Sequence, residues 1–331
     1  MKSISRRCTV LFLCVWALAL PFALPVFALA GGEVTVGTDK EVAAFFETAK
    51  GDEAALIAFL HKMPKGADLH AHPSGSLYAE SLVDAAIAKG LFYDREARAF
   101  VDKQPASNFF TAGELRFDYK KYNEVLNGLS IRNTSKEPEG GNVHFFTAFG
   151  RFGSASPDVE GQMREILTRA AAQKISHLEL MTSPRSKPDG SVDVNGTRAK
   201  LTQYNAARDK IMRELAEAGN AWDVSILWSL SLYRDIGPKV DGQMTMDGYA
   251  DWWRKQVAGI LEATYACADL GAVAVTILSP EDSWIARSQF ALQFGVIDEE
   301  WRSFQKKHPE NQVKMNLHGG ELPLEFSPYN D

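Results

Sequence analysis

Four short apolar runs decide the fold of this chain: ISHLELMT at residues 175–182, WDVSILWSLSL at 222–232, GAVAVTIL at 271–278 and QVKMNLH at 312–318. Short runs that are rich in aliphatic residues are typical of buried strands. Longer segments with helical spacing lie between them, at residues 197–218, 246–270 and 283–306. Strands that alternate with long helices predict an α/β fold with a parallel sheet.

A further strand is predicted upstream, where ADLHAH at residues 67–72 lies between the turn MPKG and the breaker PSG. Residues 91–140 are expected to be less regular, and helices are predicted at residues 40–62, 77–90, 143–152 and 158–174. The parallel sheet is either an open doubly wound sheet or an eight-stranded barrel. Because no glycine-rich phosphate motif follows the first strand, a nucleotide-binding open sheet is disfavoured.

The first thirty residues have the pattern of a signal peptide. Three basic residues precede an apolar run from residue 10 to about residue 27, and the triplet ALA at 28–30 fits a cleavage site. A transmembrane anchor is the alternative interpretation, which Pro21 and Pro25 within the run disfavour. We therefore expect residues 1–30 to be removed and the protein to be periplasmic or extracellular.

The composition restricts the partners of the protein. The net charge is −6, and removal of residues 1–30 with their three basic residues changes it to −9. A mildly acidic chain without a basic run is a poor candidate for binding nucleic acid or an anionic membrane. Of the three cysteines only Cys267 would remain, so no internal disulfide is expected.

The predicted strand at 67–72 carries two candidate metal ligands, His70 and His72. Side chains two apart in a strand point to the same side, so both imidazoles can reach one ion. In a β/α barrel the carboxyl end of the strands carries the active site. The pair alone is equally compatible with two ordinary surface or core histidines.

The strand at 312–318 ends in a second candidate motif, His318-Gly319-Gly320-Glu321. Two glycines allow a tight turn and a close approach of the backbone to a ligand. A metal-binding histidine followed by a carboxylate that can donate a proton is a plausible catalytic pair. The alternative is a glycine turn that carries a surface glutamate.

These motifs resemble those of the adenosine deaminase family, nearest its secreted, growth-factor-like branch and the bacterial relatives. MPKGADLHAH at 63–72 is similar to the strand-one motif of the family, and HGGE at 318–321 is similar to its H-A-G-E motif. LEL at 178–180 and ILSPED at 277–282 resemble segments of its second and fourth strands. The resemblance extends from about residue 40 to the end of the chain.

The resemblance implies a (β/α)8 TIM-type barrel of the metallo-dependent hydrolase kind, with one zinc ion per chain. It implies that His70, His72 and His318 are the zinc ligands and that Glu321 protonates a ring nitrogen of the substrate. The implied reaction is hydrolytic deamination of adenosine or a related purine nucleoside, with release of ammonia. The resemblance also suggests a homodimer.

Three departures from the family pattern concern the substrate and the length of the chain. Ser74, followed by Gly75, stands where the family has an aspartate that contacts the sugar, and Ser279 stands where it has a glycine near the purine. The resemblance also implies a catalytic histidine on strand six and a zinc-binding aspartate on strand eight, but the chain ends at Asp331, thirteen residues after His318.

We therefore expect only about five of the eight barrel strands, within an incomplete barrel at 64–331 that follows a helical extension at 31–63. We also expect a fragment of a longer enzyme, with little deaminase activity of its own.

Two other functions remain open at this point. One is another zinc amidohydrolase of the same superfamily, although the predicted fourth strand lacks the lysine that such enzymes usually carry there. The other is a secreted binding protein that has lost catalysis, which Ser74, Ser279 and the length of the chain favour.

Several further residues have predicted structural roles. Core packing is expected for the aromatic residues Phe145, Phe149, Phe152, Trp252 and Trp253. For the three phenylalanines the resemblance implies an alternative, a helix that closes over the substrate. His144 is expected to be a surface or hydrogen-bonded histidine. On the strand at 175–182, His177 is assigned to the outer layer, whereas Glu179 is expected to face the barrel interior and to form a structural pair.

Overall fold

The computed structural model describes residues 38–133, 140–233, 246–278 and 287–318. The predicted signal segment at 1–30, Ser279 and Glu321 lie outside these ranges. The chain divides into two compact units, residues 1–61 and 62–331.

The first unit contains α1 (Asp39–Ala49) and nearly all of α2 (Glu53–Lys62). Thr38 caps α1 in a reciprocal pair with Glu41, which satisfies backbone N–H groups that the first helical turn leaves without partners. These helices confirm the helical prediction for residues 40–62.

The second unit is built around a parallel sheet of five strands in the order β1-β5-β8-β9-β10. The strands are β1 (Gly66–Ala71), β5 (Ile175–Thr182), β8 (Ser225–Tyr233), β9 (Ala272–Leu278) and β10 (Lys314–Leu317). Each corresponds to one of the five strands predicted from the sequence.

The sheet is curled into part of a barrel. In a flat sheet, edge strands four spacings apart would be about 19 Å from each other. In this protein the ring centroids of His70, on the edge strand β1, and His318, directly after the edge strand β10, are 4.5 Å apart. The carboxyl ends of the two edges therefore converge, as in a β/α barrel.

Helices cover the outer face of the curled sheet and form the main core with it. The long helices are α6 (Val159–Gln173), α7 (Val194–Glu217), α8 (Met246–Ala266) and α9 (Arg287–Lys307). A short hairpin, β6 (Arg185–Ser186) and β7 (Val192–Asp193), connects β5 to α7. None of the helices within the described ranges combines the length and the apolar run needed to cross a bilayer.

Apolar and polar residues alternate along the central strands. In β8, Trp228, Leu230 and Leu232 belong to the outer core, whereas Ser229 and Ser231 point to the inner face. The neighbouring strand follows the same phase, because Ser231 is paired with Thr276 and Leu230 with Val275. This two-residue period gives the sheet an apolar outer face and, at these positions, hydroxyl side chains on the inner face, which are also buried.

A small antiparallel sheet lies within the segment that was expected to be irregular, residues 91–140. Its strands are β2 (Phe92–Asp94), β3 (Ala99–Val101) and β4 (Phe109–Thr111), in the order β3-β2-β4. Each has only three residues, which is too short to show the alternation that predicts a strand. Buried aromatic rings hold the sheet together, with Tyr93 5.4 Å from Phe100 and 5.1 Å from Phe110.

Three helices complete this second core: α3 (Ala79–Lys89), α4 (Tyr119–Leu129) and α5 (Gly140–Phe152). Phe149 and Phe152 of α5 belong to it, as predicted, with their ring centroids 5.5 Å apart. His144 is fully buried, and its ring nitrogens lie 2.9 Å from the carbonyl oxygen of Ser130 and 3.0 Å from a guanidinium nitrogen of Arg151. It is therefore a hydrogen-bonded core histidine.

Candidate metal centre

Three histidines meet at the carboxyl ends of the two edge strands. One ring nitrogen from each of His70, His72 and His318 lies within 4.8 Å of those of the other two. A tetrahedral zinc ion with bonds of about 2.0–2.1 Å holds its nitrogen ligands about 3.3 Å apart. Three imidazole nitrogens this close together, at one end of the parallel sheet, form a donor set that suits a zinc ion.

Strand register explains why His318 joins the other two. The backbone N–H of His318 donates to the carbonyl oxygen of Ile277 at 3.0 Å, which extends the pairing of β10 with β9 by one residue. His318 thus continues the phase of Asn316, which is paired with Thr276 on the inner face. Leu317 between them points outward and is 71% exposed.

His70 and His72 reach the same place from the opposite edge of the sheet. His70 lies in β1 and His72 directly follows it, while Ala71 between them packs against the outer core. The ring centroids of His70 and His72 are 5.1 Å apart, and those of His72 and His318 are 5.8 Å apart. The alternation predicted from the sequence therefore brings both imidazoles to the inner face.

The turn after β1 fixes the backbone of His72. The backbone N–H and the hydroxyl of Ser76 donate to the carbonyl oxygen of His72, at 2.9 and 2.8 Å. The carbonyl oxygen of Ser76 in turn accepts a hydrogen bond from Arg169 of α6. Ser76 and Arg169 lie 93 positions apart in the chain. No sequence motif connects them, so neither residue was predicted to belong to the site.

Ser74 and Gly75, the predicted substrate contacts, lie in this turn. A Cβ atom at position 75 would be 3.1 Å from Cε1 of Phe149 and 3.6 Å from Cβ of His72. The ring of Phe149 therefore covers the backbone of Gly75 beside the histidine cluster. Phe149 contributes both to the second core and to the wall of the site.

The prediction that His177 belongs to the outer layer is wrong. His177 is paired with Ser225 and lies on the inner face, with Nδ1 3.0 Å from the Ser225 hydroxyl oxygen and Nε2 3.6 Å from Glu179. Side chains two apart in a strand point to the same side, so an interior position of Glu179 requires an interior position of His177, and the outer-layer assignment was wrong. Glu179 faces the interior in a structural pair, as predicted.

Two predicted site residues, Ser279 and Glu321, lie outside the described residues. Ser279 directly follows the end of β9, and Glu321 lies three positions after His318. Their roles therefore remain predictions from the sequence.

No family model matches this chain, and no curated protein sequence matches it. The structural neighbours of this chain are adenosine- and AMP-deaminase-like amidohydrolases.

One neighbour is the N6-mAMP deaminase MAPDA of Arabidopsis, with a TM-score of 0.45 and 15% identity over 81% of this chain and 65% of that one. A second is Arabidopsis ADAL complexed with GMP, with a TM-score of 0.45 and 16% identity over 82% of this chain and 65% of that one. An amidohydrolase from Burkholderia ambifaria with bound zinc has a TM-score of 0.44 and 17% identity over 82% and 57%. The chain thus spans 57–65% of the length of these three proteins.

Proposed function

We propose that this chain binds one zinc ion and belongs to a hydrolase that deaminates adenosine or a related purine nucleoside. The observation that carries the proposal is the convergence of three imidazole nitrogens within 4.8 Å at the carboxyl ends of β1 and β10. Three protein ligands are typical of catalytic zinc sites, because they leave a coordination position for water or substrate.

The donor set supports zinc, since neutral imidazole is a good ligand for it. A zinc ion in this position would supply a Lewis acid that makes water nucleophilic near neutral pH. His70, His72 and His318 would hold the ion on the inner face of the sheet. The turn that contains Ser74 and Gly75 would form one side of the substrate site.

The motif HGGE supports a role for Glu321 as the residue that donates a proton to the purine ring. Ser74, Gly75 and Ser279 are proposed to contact the substrate. Because Ser74 replaces a family aspartate that contacts the sugar, the experiment must compare a nucleoside, a nucleotide and a free base as substrates.

The test begins with metal content. We expect the purified chain to bind one equivalent of zinc and to lose it on dialysis against a chelator, as measured by elemental analysis. Turnover of adenosine, deoxyadenosine, AMP and adenine by the full-length protein is then followed by ultraviolet absorbance and by ammonia release. A variant with Glu321→Gln provides the control, because it should keep the zinc and lose turnover.

The outcomes separate the candidate functions. Turnover of a purine that stops on chelation supports the proposal, and hydrolysis of an amide or ester supports another zinc amidohydrolase. A full-length protein that holds zinc and binds a purine without turning it over supports a binding protein. A chain that binds no zinc overturns the proposal.

We also propose that residues 1–30 direct export to the periplasm or beyond the cell. The basic start, the apolar run and the ALA triplet support this proposal. Sequencing the amino terminus of the protein from its native host tests it, since export with cleavage predicts a first residue near Gly31. A protein that keeps residues 1–30 would contradict cleavage.

A further inference from the structure

We propose that Arg169 is a positioning residue for the metal centre, which holds the turn after β1 so that the His72 ring points at His70 and His318. This inference rests on the proposed zinc site. It concerns a residue that does not itself contact the metal ligands through its side chain, but acts on them through the backbone of Ser76.

Arg169 connects helix α6 to the turn after β1. The guanidinium of Arg169 donates to the carbonyl oxygen of Ser76, and Ser76 donates twice to the carbonyl oxygen of His72, at 2.9 and 2.8 Å. Three residues thus form a continuous hydrogen-bonded path from α6 to a proposed ligand. A shift of the Ser76 carbonyl would be passed to the His72 backbone through both bonds.

Two further contacts hold the side chain of Arg169 in place. Glu165, one helical turn earlier, lies 3.1 Å from its guanidinium and also accepts a hydrogen bond from the backbone N–H of Tyr78 at 2.8 Å. The guanidinium lies 4.3 Å from the centroid of the Tyr78 ring. Arg169 is therefore held from two sides, and the turn is tied to α6 at both Ser76 and Tyr78.

The ion pair between Arg169 and Glu165 is largely buried, which strengthens it. The side chains of Arg169 and Glu165 are only 24% and 17% exposed, so water screens their interaction less than that of a surface ion pair. The helix itself is anchored, because Met163, Ile166, Leu167 and Ala170 are buried in the main core. The turn after β1 is thus held by a helix that is itself firmly packed.

Arg164 on the same helix provides a matched control. It forms ion pairs with Glu160 at 2.8 Å and with Glu214 at 2.6 Å, and its side chain is 44% exposed. The two arginines therefore have the same chemistry and similar partners. They differ in that Arg164 faces α7, whereas Arg169 faces the turn.

The experiment measures the affinity for Zn²⁺ by competition with a chromophoric chelator and the ligand-field spectrum of the Co²⁺-loaded chain. We expect Arg169→Gln to weaken zinc binding about tenfold to a hundredfold, the range for loss of a group that orients a metal ligand, and to change the Co²⁺ spectrum. Arg169→Lys should be intermediate, because an ammonium group cannot contact Ser76, Glu165 and the Tyr78 ring with the same geometry. Arg164→Gln should bind both metals like the wild type.

Amide hydrogen exchange in the metal-free chain provides a second readout. We expect faster exchange of the Ser76 N–H in Arg169→Gln than in Arg164→Gln, whose thermal stability serves as the reference for a merely structural loss. Equal zinc affinity in the two variants, or equal exchange at Ser76, overturns the inference. A wild-type chain that binds neither Zn²⁺ nor Co²⁺ overturns the proposed function and, with it, the metal-positioning role of Arg169. In that case hydrogen exchange at Ser76 still decides whether Arg169 holds the turn.

Discussion

The two faces of the parallel sheet belong to the same strands and differ in chemistry. On the outer face, Trp228 and Leu230 of β8 are almost completely buried against the helices. On the inner face, Ser229 and Ser231 alternate with them, and the three histidines meet at the rim. Because successive side chains of a strand point to opposite faces, one short sequence supplies stability on one side and candidate ligands on the other.

The comparison predicts the largest loss of stability on the outer face. Trp228 is 1% exposed, its ring centroid lies 5.0 Å from that of Tyr204, and its indole N–H donates to Asn205 at 3.2 Å. We expect Trp228→Ala to lower the free energy of unfolding by about 3–5 kcal/mol, because it leaves a cavity in the core. Urea denaturation measures the change.

Leu317 is the control for this prediction, since it points outward but is 71% exposed. Leu317→Ala should change the free energy of unfolding by no more than about 0.5 kcal/mol. The folded fraction of Trp228→Ala should still bind zinc like the wild type. A loss of zinc affinity in that fraction would break the separation between the faces.

Substitutions of the histidines on the inner face should reduce zinc affinity more than stability. Zinc sites with four ligands bind with about 10–16 kcal/mol, or roughly 3 kcal/mol per ligand. We therefore expect His318→Ala to weaken zinc binding by about a hundredfold, with a smaller effect on the stability of the metal-free chain. Competition with a chelator measures the first effect, and urea denaturation without metal measures the second.

His177→Ala separates a metal ligand from a histidine that merely lies on the same face. His177 contacts Ser225 and Glu179 and does not belong to the cluster of three. Its substitution should leave zinc affinity unchanged. If both histidine variants lose the same affinity, the assignment of the ligands is wrong.

A smaller effect concerns a charge at the carboxyl end of β5. The Nζ atom of Lys200 donates to the carbonyl oxygen of Ser183 at 2.9 Å, and burial, followed by the charge of Arg185, lowers the pKa of Lys200 to about 8. Below this pH both folded and unfolded chains hold the proton, and the folded chain bears the cost of the buried charge. Between about pH 8 and 10.5 only the unfolded chain keeps the proton, so stability rises with pH.

We expect this rise to amount to about 1–2 kcal/mol, after allowance for partial exposure of the side chain. Lys200→Met should remove it. The measurement is the difference in the free energy of unfolding between variant and wild type across this pH range, which cancels the contributions of the tyrosines. A difference that does not depend on pH would contradict the lowered pKa.

The regular parts of the fold were predictable because their signals are local. β5 has the predicted bounds of 175–182, since eight apolar and alternating residues end at turn-forming residues. The face of His70 and His72 was predictable for the same reason, because alternation within one strand needs no knowledge of its neighbours.

Other features were not predictable because they depend on contacts between distant residues. β2, β3 and β4 have three residues each, so pairing and aromatic packing rather than periodicity produce them. The role of Arg169 depends on the packing of α6 beside a turn that precedes it by almost a hundred residues.

The sequence by itself determined the alternation of strands and helices, the pairing of His70 with His72 on one face, and the motif around His318. Only the tertiary structure decided that His318 meets the other two, because the sheet must curl across four strand spacings before the rings of His70 and His318, at its two edges, come within 4.5 Å of each other. Local periodicity specifies which side of a strand a residue occupies. The curvature of the sheet, which no single strand encodes, specifies which residues share one point in space.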